Sequence, residues 1–161
     1  MLTRTDNDLC SHPRQRCPQV FDLLITSPLA RAVETAHIAF GNAAKRFIIL
    51  PELVETAEPR LGGPQRGASV AMMLQRHPFL KEWDLSHIEE GTNWILGEQT
   101  ELCPPAYHHP LPVEDRLAPL RSYLAARQEG SVVVVGHSMV FDRLLGKQMK
   151  NCELVEHALS G

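Results

Sequence analysis

The stretch that decides the fold is Phe-Asp-Leu-Leu-Ile-Thr-Ser-Pro-Leu-Ala-Arg-Ala-Val-Glu-Thr-Ala, residues 21–36. Its first six residues are short and mostly apolar, which predicts a buried strand over residues 21–26. Ser27 and Pro28 suit the start of a helix, Ser27 as the N-cap and Pro28 as the first helical residue. Apolar side chains then recur at helical spacing as far as Phe40, and a glycine follows. We therefore expect a strand that leads directly into a helix.

A second junction of the same kind is Ser-Val-Val-Val-Val-Gly-His-Ser, residues 131–138. Four consecutive valines predict a strand buried on both faces, at the centre of a parallel sheet. Residues 47–50 predict a further strand and residues 154–159 a final strand. An apolar stripe at positions 113, 117, 120 and 124 predicts a helix over residues 113–124, which Pro119 should kink. Strand, helix and strand in this order are typical of parallel crossover units, so we expect an α/β fold.

Composition excludes several classes of function. The chain has 161 residues, enough for one domain with a sizeable core, and a formal net charge of −3. It has no cluster of basic residues, so neither a nucleic acid nor a membrane surface is an expected partner. The early residues lack the apolar core of a signal peptide, and four cysteines without a Cys-x-x-Cys pair favour free thiols. A soluble cytoplasmic protein is the expectation.

Arg31 and His137 carry the chemistry that the two junctions suggest. In parallel sheets, ligands bind outside the carboxyl ends of the strands, where the N-termini of helices carry a partial positive charge. Both residues follow such strand ends in the predicted fold. A guanidinium group can bind two phosphate oxygens, and an imidazole beside it can stabilise the charge of a phosphoryl group in transfer. The pair therefore predicts a phosphate site.

The two motifs, at residues 21–36 and 131–138, resemble the histidine phosphatase superfamily, which includes the phosphoglycerate mutases. The order of the motifs, with Leu-Val-Glu at residues 53–55 between them, extends the resemblance over about residues 20–160. It implies a three-layer α/β domain over residues 20–161, with an insertion at about 51–112. Residues 1–19 are then an irregular lead-in.

The resemblance also implies roles for three residues. Arg31 would bind phosphate, His137 would contact the phosphoryl oxygens, and Glu55 would give a proton to the leaving alcohol. The reaction would be phosphomonoester hydrolysis or phosphoryl transfer, on a phosphorylated small molecule or a phosphoprotein, without a metal or other cofactor. A solvent-exposed loop carboxylate is an equal interpretation for Glu55. The substrate and the oligomeric state cannot be read from the sequence.

One part of the family pattern is missing. Members of the family attack phosphorus with a histidine in an Arg-His-Gly motif on the first, central strand, and this sequence contains no Arg-His-Gly. It also has no apolar strand before Phe21 that could carry one, so we expect the domain to lack its first central strand. Two explanations are open: a shortened form of an active enzyme, or a natural non-catalytic relative that binds phosphate. Either way we expect unpaired edges on the strands at 21–26 and 132–135.

Two other kinds of site, a serine hydrolase site and a metal site, fit the sequence less well. Gly-His-Ser-Met-Val at residues 136–140 is similar to the nucleophile elbow of serine α/β-hydrolases, with Ser138 as the nucleophile and Asp142 and His157 as partners. A valine stands where that motif has its second glycine, and few residues follow. His77, His87 and the pair His108 and His109 lack metal-ligand spacing, so no metal site is predicted.

Overall fold

The computed structural model describes residues 20–55, 70–88 and 113–158. In chain order the elements are strand β1, helix α1, strand β2, a 3₁₀ helix, helix α2, a second 3₁₀ helix, helix α3, strand β3 and helix α4. Their bounds are β1 Leu23–Thr26, α1 Ala30–Phe40, β2 Phe47–Ile49, 3₁₀ Pro51–Leu53, α2 Val70–Arg76, 3₁₀ Pro78–Glu82, α3 Val113–Ala125, β3 Val132–Val135 and α4 Ser138–Leu145.

The three strands form a parallel sheet in the order β2, β1, β3. Leu24 pairs with Phe47 on one side and with Val133 on the other. This confirms the predicted parallel α/β class, but β1 and not the valine strand occupies the middle. The prediction that residues 132–135 lie at the centre is wrong for the sheet that the described residues form, since β3 is at its end.

Helices cover both faces of the sheet, which confirms the three-layer arrangement. Alternate residues of a strand point to opposite faces. Leu24, Ile49 and Val133 join one core cluster with α1 and α2, whereas Leu23, Ile25 and Ile48 join a second cluster with α3 and α4. Each layer of helices therefore has its own apolar core against the sheet.

The two outer strands, β2 and β3, differ in whether their outer sides have a backbone partner among the described residues. All four residues of β1 are buried, because the strand is paired on both sides and covered on both faces. The outer side of β2 accepts a bridge from Asp84, whose backbone N–H donates to the Phe47 carbonyl at 2.8 Å. In β3 only Val133 is fully buried. The predicted unpaired edge is therefore wrong for residues 21–26, and within the described residues it holds for β3.

The first strand-to-helix junction differs from the prediction in detail. Helix α1 begins at Ala30 with Leu29 as its N-cap, so Ser27 is not the cap and Pro28 is not helical. The hydroxyl oxygen of Ser27 instead accepts a hydrogen bond from the Leu29 N–H at 3.3 Å. The turn is longer than the cap pattern suggests because the Ser27 side chain is directed into the protein, where it has a second partner.

Helix α3 confirms the predicted helix over residues 113–124, and Pro119 does not interrupt it. Proline removes one backbone N–H, but Pro119 lies on the exposed side of α3, where water can bind the carbonyl that is left without a donor. The C-terminus of α4 is capped from α3: Arg121 Nη2 donates to the carbonyls of Arg143 at 3.2 Å and Leu144 at 2.9 Å.

The end of the described chain corrects two further expectations. Residues 153–158 form no strand, so the predicted final strand at 154–159 is wrong over its described part. Cys152 is disulfide-bonded, which contradicts the expectation of free thiols for this residue.

The lead-in at 1–19 and most of the insertion at 51–112 lie outside the described residues. Within the described ranges, none of the helices has the length and apolar character needed to cross a membrane.

Candidate active site

The two junctions meet at the carboxyl edge of the sheet. Thr26 and Val135 are partners in the pairing of β1 with β3, so the residues that follow them, Ser27 and Gly136, lie side by side. Helix α1 begins on one side of this edge and α4 on the other. Because N-terminal turns leave backbone N–H groups without helical partners, both helices direct positive potential to the same place. This edge is the candidate site.

A buried hydrogen bond joins the junctions. His137 Nε2 lies 2.9 Å from Ser27 Oγ, although the two residues are 110 positions apart in the chain. Ser27 is fully buried and His137 is 6% exposed. Ser27 Oγ also accepts the Leu29 N–H, and it keeps its hydroxyl hydrogen and a second lone pair, so the tautomer of His137 sets which of the two groups donates. When the Ser27 hydroxyl donates to Nε2, the proton of the neutral imidazole is on Nδ1.

The electrostatic surroundings keep this imidazole neutral. Burial, followed by the positive charges of Arg31 and Arg116, lowers the pKa of His137 from its ordinary 6.5 to about 3. Desolvation disfavours the charged form of a histidine, and like charges nearby add to that effect. At neutral pH, His137 is therefore an uncharged hydrogen-bonding group within reach of two cations.

Arg31 lies where the sequence predicted it, in the first turn of α1. It is exposed, and its charge acts on His137. Glu55 follows the first 3₁₀ helix and is half-buried, with a carboxylate whose charge acts on Arg116. The charge of Arg31 thus acts on His137 itself, whereas the charge of Glu55 acts on Arg116, a residue that the sequence did not single out.

Arg116 is the residue that sequence reasoning missed. It lies on α3, is only 3% exposed, and donates through Nη1 to the carbonyls of Glu52 at 2.9 Å and Val54 at 2.7 Å. The predicted apolar stripe runs through positions 113, 117, 120 and 124, whereas the buried face of the helix runs through positions 113, 116, 120 and 124. Both spacings are helical, so an arginine at position 116 on the inner face was a readable signal.

The structure shows no hydrogen bond that would support the serine hydrolase interpretation among the described residues. Ser138 is exposed at the first position of α4, and no hydrogen bond links it to Asp142 or His157, which are both described. The alternative stays a prediction. Among the described residues no group of three or more His, Cys, Asp or Glu side chains is arranged to hold a metal ion. His77 instead lies 3.5 Å from Glu34, and His87 Nε2 lies 3.4 Å from the Tyr123 hydroxyl.

Taken as chemistry, the edge offers an exposed guanidinium, a neutral imidazole with an N–H donor, a buried second guanidinium and two helix N-termini. Each of these stabilises negative charge, and together they suit an oxyanion with several oxygens.

The comparison with known families agrees with this geometry. A search of curated proteins finds no match to the chain. The model of the histidine phosphatase superfamily (branch 1) matches residues 14–155, which include both junctions, the Glu55 segment and α3. A match over most of the chain confirms the resemblance that the two motifs indicated. The chain therefore belongs to the histidine phosphatase superfamily.

Proposed function

We propose that the carboxyl edge of β1 and β3 binds the phosphoryl group of a phosphomonoester, in the manner of a phosphatase or phosphomutase that works through a phosphohistidine. The observation that supports it best is His137: buried, bonded to Ser27, and under the charge of Arg31 and Arg116. In this proposal the Ser27 hydroxyl donates to Nε2 and the imidazole proton is on Nδ1, where it would donate to a phosphoryl oxygen; the opposite tautomer would present a lone pair and repel it.

The remaining residues take roles around that donor. Arg31 is exposed at the start of α1, where its guanidinium can bind two oxygens of an incoming phosphate. Glu55 would give its proton to the oxygen of the leaving alcohol as the bond to phosphorus breaks. The acceptor of the phosphoryl group would be a histidine of the Arg-His-Gly type. The substrate would be a phosphorylated small molecule or a phosphoprotein.

A second candidate follows from the missing motif. Because the sequence has no Arg-His-Gly, this chain by itself would bind phosphate with little or no turnover. A regulatory relative that only binds a phosphorylated ligand would behave in the same way. An in-frame Arg-His-Gly segment upstream of Met1 in the genomic reading frame would support a shortened enzyme, and a stop codon there would support the non-catalytic relative.

The experiment combines turnover with binding. We expect the chain to bind inorganic phosphate or vanadate by calorimetry, and to hydrolyse p-nitrophenyl phosphate slowly or not at all. Arg31→Ala should weaken phosphate binding by roughly tenfold to a hundredfold, because charge-assisted hydrogen bonds contribute about 1.5–3 kcal/mol. Arg46→Ala is the matched control, since Arg46 precedes β2 at the opposite edge and pairs with Glu129 at 3.3 Å.

Three outcomes are informative. Turnover that His137→Ala abolishes would establish catalysis by this chain. Binding without turnover would support the binder. Equal loss of phosphate affinity in Arg31→Ala and Arg46→Ala would show that only net charge matters, and it would exclude a phosphate site at the carboxyl edge.

A further inference from the structure

Arg116 occupies a position that is unfavourable for an arginine in two ways. It is 3% exposed, so its charge is removed from water. It also lies in the first turn of α3, where the helix dipole favours acidic side chains such as its neighbours Glu114 and Asp115. A cation that lies there needs strong compensating interactions. The hydrogen-bond partners of Arg116 therefore indicate the role of this side chain.

The compensating interactions are hydrogen bonds from Arg116 to the backbone of residues 52–54, the segment that follows β2. Leu53 and Val54 donate their N–H groups to the carbonyls of Leu50 and Pro51, so the 3₁₀ turn satisfies its donors locally. The carbonyls of Glu52 and Val54 are bound instead by Arg116 Nη1, at 2.9 Å and 2.7 Å. The next residue along the chain is Glu55.

Arg116 also interacts electrostatically with residues of the candidate site. Burial lowers the pKa of Arg116, and the carboxylates of Glu52, Glu55 and Glu114 oppose that shift. The charge of Arg116 in turn acts on His137. Among the described residues, Arg116 therefore interacts electrostatically with both the Glu55 carboxylate and the His137 imidazole.

Two buried atoms without hydrogen-bond partners show that Arg116 is not placed simply to pair with the Glu52 carboxylate. Arg116 Nε and Glu52 Oε2 are buried without a hydrogen-bond partner among the described residues. An arginine that served only to pair with Glu52 would be expected to satisfy both atoms together. The side chain instead gives its short bonds to backbone carbonyls, which fixes the path of the chain.

We propose that Arg116 is a positioning residue: it binds the backbone of residues 52–54 so that Glu55 is held at the carboxyl edge beside His137. The inference rests on the proposed function, because it assumes that Glu55 acts there on a bound phosphomonoester. It adds a residue from α3 to a site otherwise built from the two strand-to-helix junctions and the segment after β2.

The test uses Arg116→Lys, which keeps the positive charge but not the planar guanidinium. Its matched control is Arg121→Lys on the same helix, because Arg121 also binds two backbone carbonyls, at the far end of α4. Amide hydrogen exchange of Leu53 and Val54, followed by NMR, should become roughly tenfold faster in Arg116→Lys and stay unchanged in Arg121→Lys, as expected for loss of a charge-assisted bond.

A second signature reports positioning and not mere stability. In the wild-type chain and in Arg121→Lys, saturating inorganic phosphate should shift the amide resonance of Glu55. In Arg116→Lys that shift should fall by at least half, while the His137 resonances should still respond to phosphate. Arg116→Met, where it folds, should also raise the pKa of His137, because one of the two nearby cations is removed.

The proposal and the proposed function fail in different ways. If phosphate shifts neither His137 nor Glu55 in the wild-type chain, the phosphate site is wrong, and the positioning role falls with it. If the wild-type chain binds phosphate but Arg116→Lys leaves both the exchange of Leu53 and Val54 and the Glu55 shift as in Arg121→Lys, the positioning role alone is overturned. Thermal melts of all variants would show whether a change is local or global.

Discussion

The junction of β1 with α1 and the junction of β3 with α4 have the same design but opposite polarity. In the first, the hydroxyl of Ser27 is buried and the charge of Arg31 is exposed. In the second, the imidazole of His137 is buried and the hydroxyl of Ser138 is exposed. One hydrogen bond, between Ser27 and His137, joins them. Two similar motifs therefore supply complementary halves of one site.

The strands behind the junctions differ as well. β1 is paired on both sides and wholly buried, whereas β3 is at the end of the described sheet and mostly half-buried. Ser27 follows the strand that is paired on both sides, whereas His137 follows a strand that is paired on one side among the described residues. We therefore expect the first junction to fix the geometry of the second, and three measurements test this.

The largest effect should come from the strands. Ile25 and Val134 are register partners that face the same core cluster, but only Ile25 is fully buried. Ile25→Ala should lower the free energy of unfolding by about 2–5 kcal/mol, and Val134→Ala by about 1 kcal/mol, because a half-buried site leaves a smaller cavity. Urea denaturation measures both, and losses of equal size would contradict the difference in support.

The second effect concerns acid. The pKa of His137 is about 3 in the folded protein and near 6.5 when unfolded, so between these values only the unfolded chain takes up the proton. Stability is thus fully present above pH 6.5 and is lost as pH falls, by up to about 1.4 kcal/mol per pH unit. His137→Gln lacks this proton uptake, and its stability should fall less steeply between pH 6.5 and pH 4.

Denaturant titrations at several pH values compare the two chains. Asp22, Asp84 and Glu153 have pKa values lowered by their hydrogen bonds, and they weaken both chains equally in acid. The difference between the chains therefore isolates His137. Parallel curves would mean that His137 is accessible to protons in the folded state, contrary to its burial.

The smallest effect tests the bond that joins the junctions. Ser27→Ala leaves His137 Nε2 without its partner in a buried place, which should cost about 1–3 kcal/mol. Ser138→Ala removes the exposed hydroxyl and should change stability by less than about 0.5 kcal/mol. The nitrogen chemical shifts of His137 should also show a changed tautomer population in Ser27→Ala alone. An unchanged tautomer in that variant would show that Ser27 does not orient the imidazole.

Much of the local structure could be predicted because it depends on neighbouring residues. The bounds of β1 and α1 follow from apolar spacing and lie within a few residues of the prediction. Ser27 shows where this stops: its predicted role as a helix cap competed with a hydrogen bond to a residue far along the chain, and the distant partner prevailed. Cap patterns contain no information about such a partner.

The parallel α/β class and the places of Arg31 and His137 at strand ends could be predicted from short-range patterns of apolar and charged residues, and the superfamily from the resemblance of two motifs. Which strand is central, that Ser27 contacts His137, and that Arg116 points inward to the Glu55 segment follow only from the folded structure. These depend on pairing and packing between residues that are tens of positions apart. Helical spacing permits either of two adjacent faces, and only contact with the rest of the molecule selects between them.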